Sequence, residues 1–435
     1  MKPKKKLEIG NFHVKDIIFG EKTSFQKGVL TVNKEEAIAS VDPDGVLKNI
    51  ELYIIRPGDS IRVMPAKAAV EPRFRPDGRS IFPGFTGPIT SCGDGVLYAM
   101  KGMSVIYCGK YGISSDGVID MSGPAAEHSI FSKMVNLVVY AEKINAIDLD
   151  EAFRYENDQK KAAHFLADYV AKTLAGQEPE DWECYELEPG AVEADKKGLP
   201  RVAYFFTAES QYPAGCCDTI FGGDSLNMLP VLMHPNAMFD GQYVSMTGLM
   251  GAAFLTYAFQ NQPVVKQLYK EHGKSINFVG VVVCPSDASN EVKLRVKICS
   301  GEMASLLKLD GAVVASQCGG SNFDIDFFYL LAELEDRGIK AVGHTIEHNG
   351  KSMLDPKGDA IVTGGDSGAI FELPPMDLVI GDINSAVRDF YYGAWSVHDE
   401  YGPSLRPDGS LIVNGCMIAD CANNNGFTTK IVKDF

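Results

Sequence analysis

Positive charge is scarce in this sequence of 435 residues, which contains 41 Lys and Arg against 57 Asp and Glu. The net charge of −16 disfavours electrostatic binding to nucleic acids or to anionic membranes. No uninterrupted apolar stretch is long enough to span a bilayer. No apolar signal core follows the basic run "MKPKKK" at the start, which we interpret as a solvated tail.

Paired cysteine motifs are lacking as well, because the ten cysteines are irregularly spaced and no C-x-x-C occurs. In a long chain without an export signal, this pattern predicts reduced, buried thiols and a cytoplasmic protein. The close pair Cys216-Cys217 is vicinal. A redox role for this pair is one hypothesis, and an ordinary structural role is the other.

Apolar residues make up 45% of the chain, enough to bury a large core and to predict two or three domains. Residues 1–145 are rich in β-branched and aromatic residues between Gly, Pro and Asp, which predicts a strand-rich N-terminal domain. Residues 146–199 combine a predicted helix with an acidic linker. In the helix, Ala162, Leu166 and Val170 recur at helical spacing.

Residues 200–435 follow a different pattern, in which apolar runs such as "RVAYFF" and "INFVGVVVC" alternate with helical segments. Continuous apolar runs are typical of strands that are buried on both faces. The alternation predicts a doubly wound, mostly parallel α/β domain, so the predicted fold class is α/β. In such sheets, sites form at the carboxyl ends of the strands.

Gly-Asp-Ser-Gly at residues 365–368 resembles the nucleophile segment of chymotrypsin-like proteases, and "AAH", which ends at His164, resembles their histidine segment. Those enzymes are antiparallel barrels, whereas His164 lies in a predicted helix and the tetrapeptide follows a buried strand. The glycines favour a tight turn at the end of that strand. There, Asp366 and Ser367 either hold the turn or touch a small substrate.

Gly-Gly-Asp-Ser also occurs at residues 222–225. Two such loops can face one crevice, which makes Asp224 and Ser225 candidate substrate-binding residues, and coincidence is the alternative in a chain with 43 glycines. "HTIEH", which begins at His344, matches an inverted zinc motif. Because it continues a predicted strand, its histidines would stand roughly 13 Å apart, and we predict no metal site.

Aromatic residues gather near the end of the chain, at Tyr391, Tyr392 and Trp395. Aromatic faces can enclose a quaternary ammonium group by cation–π attraction, so these residues are candidates for substrate binding. Packing in a core or an interface is the alternative.

Several stretches, in order along nearly the whole chain, resemble one family. They are "IFPGFTGP", "GVIDMSGPAAEHSIFSKMVNLVV", "QNQPVVKQLYKEHGKSINFVGVVV" and "LPPMDLVIGD". The family is the proprotein subunit of component B of the glycine, sarcosine and betaine reductases, and the D-proline reductase proprotein is more distantly similar. The resemblance implies an anaerobic hetero-oligomer that reduces a small amine or amino acid. This subunit would pair with a selenocysteine-containing subunit and work with reductase components A and C.

For the glycine enzyme, the resemblance implies cleavage at an internal cysteine, which leaves a pyruvoyl group that holds a primary amine as a Schiff base. Here "MFDGQYVS" is followed by "MTGLMG", and no cysteine lies between Asp218 and Val283. Ser245 or Thr247 can in principle self-process. The simpler prediction is an unprocessed chain without a carbonyl cofactor, suited to a fully substituted amine such as betaine. A non-catalytic scaffold subunit is the alternative.

Overall fold

The computed structural model describes residues 5–110, 117–146, 156–188, 195, 197–211, 216–245, 254–317, 321–346, 360–364, 370–383 and 404–419. Within these ranges, no helix is both long and apolar enough to cross a membrane. Parallel strands and helices combine in mixed sheets, which confirms the predicted α/β class.

Residues 5–187 contribute strands to three sheets. The strands are β1 (Lys5–His13), β2 (Asp16–Phe19), β3 (Ser24–Gln26), β4 (Val29–Val32), β5 (Leu47–Ile55), β6 (Ile61–Val70), β7 (Arg73–Phe74), β8 (Gly95–Lys101), β9 (Met103–Gly109), β10 (Gly117–Asp120), β11 (Val135–Lys143) and β12 (Asp181–Leu187). They form the sheets β12-β1-β8-β7, β10-β6-β9-β11-β5 and β2-β4-β3. Strands β6 and β9 are buried along nearly their whole length, as their apolar composition predicts.

Helices α1 (Lys34–Ser40) and α2 (Glu156–Ala171) accompany these sheets. The side chain of Asn33 caps α1 by accepting the N–H of Glu36 at 2.9 Å. Helix α2 is the one predicted from the periodic apolar residues, and its buried face packs against β6 and β9. It places the side chains of Glu156 and Lys160 in the interior of the protein.

The segment predicted as an acidic linker contains β12, which pairs antiparallel with β1. The sequence pattern does not indicate this strand, because only Tyr185 and Leu187 are buried among its alternating charged residues. A late segment, β23 (Leu378–Ile380), pairs in parallel with β6. The predicted domain boundaries at residues 145 and 199 stay a prediction.

Residues 201–414 supply the remaining described elements. The strands are β13 (Arg201–Glu209), β14 (Thr219–Ile220), β15 (Gly223–Asp224), β16 (Val231–Met233), β17 (Tyr243–Val244), β18 (Asn277–Ser286), β19 (Gly311–Ala315), β20 (Lys340–Ile346), β21 (Ala360–Gly364), β22 (Ile370–Leu373) and β24 (Leu411–Asn414). The helices are α3 (Pro235–Phe239), α4 (Thr256–Gln260), α5 (Pro263–Glu271), α6 (Asn290–Leu306) and α7 (Ser321–Asp336).

The largest sheet of this second half has the order β16-β18-β13-β19-β20-β21. All its neighbouring strands run parallel except β16 and β18. Helices α6 and α7 cover one face through a cluster that includes Val296, Phe327 and Leu331. The opposite face carries Tyr204 and Phe206, and it joins a core that also contains residues of the N-terminal strands and α2. The main core is therefore continuous across the two halves of the sequence.

Candidate functional site

The order of the parallel strands creates one position where neighbouring connections diverge. From β13 the chain passes through α5 to β18 on one side, whereas from β19 it passes through α7 to β20 on the other. Loops that leave adjacent strands in opposite directions open a crevice at their carboxyl ends, where ligands bind in open α/β sheets. Glu209 ends β13, and Gln317 lies two residues beyond β19.

A buried network of polar groups occupies this switch point. The backbone N–H of Glu209 donates to the Asp218 carboxylate at 2.9 Å and to the Gln317 side-chain oxygen at 3.0 Å. The hydroxyl of Tyr243 also donates to Asp218. The N–H of Gln317 donates to the hydroxyl of Thr207 at 3.0 Å. These bonds join both strand ends to β17, so the two loops are held in a fixed geometry.

The side chain of Glu209 is the most unusual group in the network. It is fully buried, and its Oε1 accepts the N–H of Gln211 at 2.7 Å. Among the described residues, Oε2 has no hydrogen-bond partner. Burial raises the pKa of Glu209 well above its usual value, and the Asp218 carboxylate raises it further, against the opposing effects of Lys293 and Lys160. A buried carboxyl with a free oxygen at a strand's carboxyl end is a candidate ligand-binding or proton-carrying group.

Cys216 and Cys217 lie beside this network and are both buried, as predicted for reduced thiols. Burial raises the pKa of Cys216 to about 12, so its thiol is protonated at neutral pH. Reactive cysteines depend on the thiolate, and this environment does not favour it. The catalytic role of Cys216 and Cys217 remains a prediction that these surroundings do not support.

On the side of Cys216, a second buried polar group brings α2 and β6 together. Lys67 binds the carboxylate of Glu156 at 2.6 Å, and Lys160 lies 3.7 Å from the same oxygen. The backbone N–H of Glu156 points at the Cys216 thiol. Burial raises the pKa of Glu156, but Lys160 and Lys67 outweigh that effect, so the pKa lies below its usual value. Two ammonium groups are thus buried around the Glu156 carboxylate.

The first Gly-Gly-Asp-Ser loop joins the network through one of its two candidate residues. The Ser225 hydroxyl donates to the backbone oxygen of Glu209 at 2.8 Å and lies 2.8 Å from the Ser210 hydroxyl. The Asp224 carboxylate accepts the N–H of Leu226 at 2.8 Å. This hydrogen bond holds a local turn, which aspartate favours. Their role in substrate binding stays a prediction.

Ser245, the candidate for self-processing, lies at the end of β17 and is buried. Its hydroxyl donates to the backbone oxygen of Phe254 and accepts from the Gln317 side chain at 3.3 Å. The other candidate, Thr247, lies outside the described residues. The Ser245 hydroxyl therefore belongs to the polar network, with its proton committed to a backbone acceptor.

The family model described as glycine/sarcosine/betaine reductase component B subunits matches residues 5–433. This chain belongs to the component B family. The betaine reductase complex component B subunit alpha of Peptoclostridium acidaminophilum is 40% identical over 450 residues, covering 99% of this chain and 100% of that protein. The glycine reductase complex component B subunits alpha and beta of Acetoanaerobium sticklandii are 33% identical, with 99% of this chain and 100% of that protein covered.

A third relative of this component B subunit is the sarcosine reductase complex component B subunit alpha of Peptoclostridium acidaminophilum. It is 34% identical, with 86% of this chain and 89% of that protein covered. No solved structure matches the chain. The resemblance found in the sequence is thus confirmed, and the switch point is a candidate site in a component B subunit.

Several predicted site residues of this family member lie outside the described residues. They are Asp366, Ser367, Tyr391, Tyr392 and Trp395.

The protease-like and zinc-like motifs lie partly within the described residues. His164 lies inside α2, as predicted, and His344 lies in strand β20, also as predicted, whereas His348 lies outside the described residues. In the described part of the chain, no group of three His, Cys, Asp or Glu side chains is placed to hold a metal ion.

Four residues of the polar network carry no motif that would mark them in the sequence: Glu209, Asp218, Tyr243 and Gln317. Glu209 could have been predicted from its place at a strand end, since it directly follows the apolar run "RVAYFFTA". Lys67 and Lys160 carried no such signal because they reach the site from distant parts of the chain. Their proximity to Cys216 is a product of packing between α2 and the second half of the sequence.

Proposed function

We propose that this chain is the substrate-binding subunit of a cytoplasmic amino-acid reductase complex. It supports reductive C–N cleavage of a substituted amine such as betaine. The observation that carries this proposal is the lack of any cysteine between Asp218 and Val283, where a carbonyl-forming residue is expected. The 40% identity to the betaine subunit, against 33% and 34% for the two glycine subunits, points the same way.

The chain acts without a pyruvoyl group in this proposal. A Schiff base requires a primary amine, and a fully substituted nitrogen cannot form one. Self-processing at Ser245 would require its hydroxyl to attack the preceding peptide carbonyl, yet that hydroxyl donates to Phe254. The residue before it, Val244, pairs with Thr219 inside a small sheet. Both contacts support an unprocessed chain.

The partners belong to the proposal as well. We propose that the subunit pairs with a selenocysteine-containing subunit of component B and supplies substrate to components A and C. Its strand-rich first part and doubly wound second part would form the body on which the substrate is held. A selenolate attacking the carbon next to the nitrogen would displace the amine, and this chain would position both groups.

Isotope-labelled betaine and glycine, offered together to the purified complex, test the substrate. We expect label to be lost from betaine and retained in glycine. Turnover of glycine alone would overturn the proposal.

A non-catalytic scaffold is the second candidate, and the missing cysteine favours it equally. A scaffold would co-purify with a selenoprotein but bind no substrate. Equilibrium binding of labelled betaine to the purified chain separates the two functions, since the substrate-binding subunit retains the ligand and the scaffold does not.

A further inference from the structure

We propose that residues 82–90 form a latch, which closes over helix α2 and holds the loop of residues 221–225 in place at the switch point. The latch contains most of the motif "IFPGFTGP", which carries part of the family resemblance but has no part in the proposed chemistry. The inference concerns the conformation of the chain and goes beyond the proposed function, so turnover of betaine or glycine does not decide it.

The latch is a compact loop with its own hydrogen bonds. The backbone N–H groups of Phe85 and Thr86 both donate to the backbone oxygen of Phe82, at 3.0 and 3.1 Å. Compact loops closed by their own contacts frequently have a function. The latch contains no Asp, Glu, Lys, Arg or His, so it carries no charge of its own.

Two side chains of α2 bind the latch. The hydroxyl of Thr86 donates to Oδ2 of Asp168 at 3.1 Å. The rings of Phe82 and Phe85 pack edge-on against the imidazole of His164, with centroids 4.7 and 4.9 Å away. Because Asp168 lies one helical turn after His164, both side chains are on the same face of α2 and the closed latch covers both.

The other side of the latch contacts the loop of residues 221–225. Gly84 and Gly222 meet so closely that a Cβ on either glycine would overlap the backbone of the other loop. Within that loop, the hydroxyl of Ser225 donates to the backbone oxygen of Glu209 at 2.8 Å. The latch therefore connects α2 to the carboxyl end of β13, and its opening should loosen the loop at the switch point.

The contact between the latch and α2 includes two unsatisfied polar atoms. Oδ1 of Asp168 and Nε2 of His164 are buried, and neither has a hydrogen-bond partner among the described residues. Unpaired buried atoms cost desolvation free energy, and water can satisfy both once the latch lifts. This cost offsets part of the apolar contact made by Phe82 and Phe85, so the latch can open locally while the rest of the fold stays intact.

Opening of the latch changes the protonation of both side chains, in opposite directions. Burial raises the pKa of Asp168 to about 7, against the opposing effects of Thr86 and Lys172, and burial lowers the pKa of His164 to about 4. In water Asp168 loses its proton and His164 gains one, so rising pH favours opening through Asp168 and falling pH favours it through His164. Between pH 5 and pH 7 the two effects nearly cancel.

Other charged groups around α2 have partners of their own. The ammonium group of Lys160, one turn before His164, lies 3.7 Å from the Glu156 carboxylate. On the elements packed against α2, charged side chains form the pairs Glu36 with Tyr169, Lys67 with Glu156, Arg73 with Glu71, and Lys143 with Asp158. We therefore expect Asp168 and His164 to set the pH response of the latch.

Amide hydrogen exchange of the full chain, followed by mass spectrometry between pH 5 and pH 7, tests the inference. Dividing each observed rate by the intrinsic exchange rate at that pH gives an opening constant for residues 82–90 and another for residues 221–225. In wild type, we expect both constants to change by less than about threefold across this range, because the two titrations oppose each other.

Single substitutions should separate the two titrations. Asp168→Asn leaves His164 alone, so both opening constants should rise about 20-fold as the pH falls from 7 to 5. His164→Gln leaves Asp168 alone, so both constants should rise about 50-fold as the pH increases from 5 to 7. Slopes of opposite sign are a readout that a merely structural role of these residues would not produce.

Thr86→Val and Thr90→Val are a matched pair of variants within the latch. Thr86→Val removes the hydrogen bond to Asp168 and should raise both opening constants about fivefold at every pH. The hydroxyl of Thr90 is buried without a partner among the described residues, so Thr90→Val should raise neither constant.

Two results would overturn the inference. One is the same pH dependence in wild type, Asp168→Asn and His164→Gln. The other is a rise in the opening constant of residues 82–90 in Thr86→Val without a rise for residues 221–225, because the two segments would then open independently. The comparison of Thr86→Val with Thr90→Val decides the question even if a variant at Asp168 or His164 does not fold.

Discussion

At the scale of single residues, His164 is a histidine that the fold keeps neutral. It is fully buried on α2, between the rings of Phe82 and Phe85 at 4.7 and 4.9 Å. Its Nδ1 lies 2.9 Å from the backbone oxygen of Lys160, and Nε2 has no partner among the described residues. Burial lowers its pKa from 6.5 to about 4. The resemblance of "AAH" to a protease segment is thus explained by core packing.

His164 should make the protein sensitive to acid. Below pH 6.5 the unfolded chain binds a proton at this side chain, whereas the folded chain resists until about pH 4. The stabilisation is therefore complete above pH 6.5 and is lost as the pH falls towards 4, by about 3 kcal/mol in the free energy of unfolding. In melting curves between pH 7 and pH 4, His164→Gln should lose less stability than wild type.

His13→Gln is the control for this prediction, since His13 is exposed and pairs with Asp181 at the surface. Its free energy of unfolding should stay within about 1 kcal/mol of that of wild type across the same pH range, because an exposed ion pair contributes little. An identical acid response of His164→Gln and wild type would show that His164 does not carry the effect.

At the scale of elements, two glycine loops interlock beside the switch point. Gly84 and Gly222 both have positive φ, of 82° and 72°. A Cβ on Gly222 would lie 1.9 Å from the backbone oxygen of Gly84, and a Cβ on Gly84 would lie 1.9 Å from that of Phe221. This contact joins the long connection at residues 71–95 to the first Gly-Gly-Asp-Ser loop. Gly222 of that loop is therefore needed for packing.

Gly222→Ala should lower the free energy of unfolding by about 2–4 kcal/mol, because it adds left-handed strain and a clash with backbone that cannot move aside. The adjacent Gly223 offers a matched control. Its φ is not in the left-handed region, and its added Cβ would meet the Ile220 oxygen at 3.3 Å. Gly223→Ala should cost far less in denaturant unfolding. Equal losses from the two variants would contradict the packing role of Gly222.

The same long connection is tied to α3 by a buried ion pair. Arg75 donates from Nε to Asp240 at 3.1 Å and again from its terminal nitrogen, and both side chains are fully buried. Asp240→Asn should destabilise the protein by about 3–5 kcal/mol, because it removes the buried countercharge of a buried arginine. Chemical denaturation followed by circular dichroism measures this loss.

Asp77 supplies the comparison for this pair, since it also binds Arg75, at 3.4 Å, but its side chain is 41% exposed. Asp77→Asn should cost no more than about 1 kcal/mol. Similar losses from Asp240→Asn and Asp77→Asn would mean that burial does not set the strength of this ion pair.

Elements with a strong local pattern were predictable. The periodic residues Ala162, Leu166 and Val170 located α2, and the run "INFVGVVVC" located β18. Strand β12 was not predicted. Its glutamates and Trp182 are partly exposed at an antiparallel edge, so the charged residues obscure the alternation of apolar and polar positions that marks a strand. The buried face of an element can be predicted from local sequence only where that face is continuously apolar.

At the scale of the whole molecule, the decisive prediction concerns covalent integrity. The purified chain should give one intact mass near the 47.2 kDa calculated from the sequence. The reason is that Ser245 donates its hydroxyl proton to Phe254 and no cysteine is present in the processing region. Mass spectrometry of the denatured chain measures this directly. Two fragments that separate near residue 245, with one blocked terminus, would refute it.

The sequence by itself determined the family, the α/β class and the absence of cysteine between Asp218 and Val283. Each of these depends on residue identity and local order, which packing does not alter. Only the tertiary structure brought Glu209, Asp218 and Gln317 to one switch point. Those residues lie far apart in the sequence or on different strands, and their proximity follows from the order of the strands in the sheet. Burial, set by all the surrounding elements together, then raised the pKa of Glu209 and lowered that of His164.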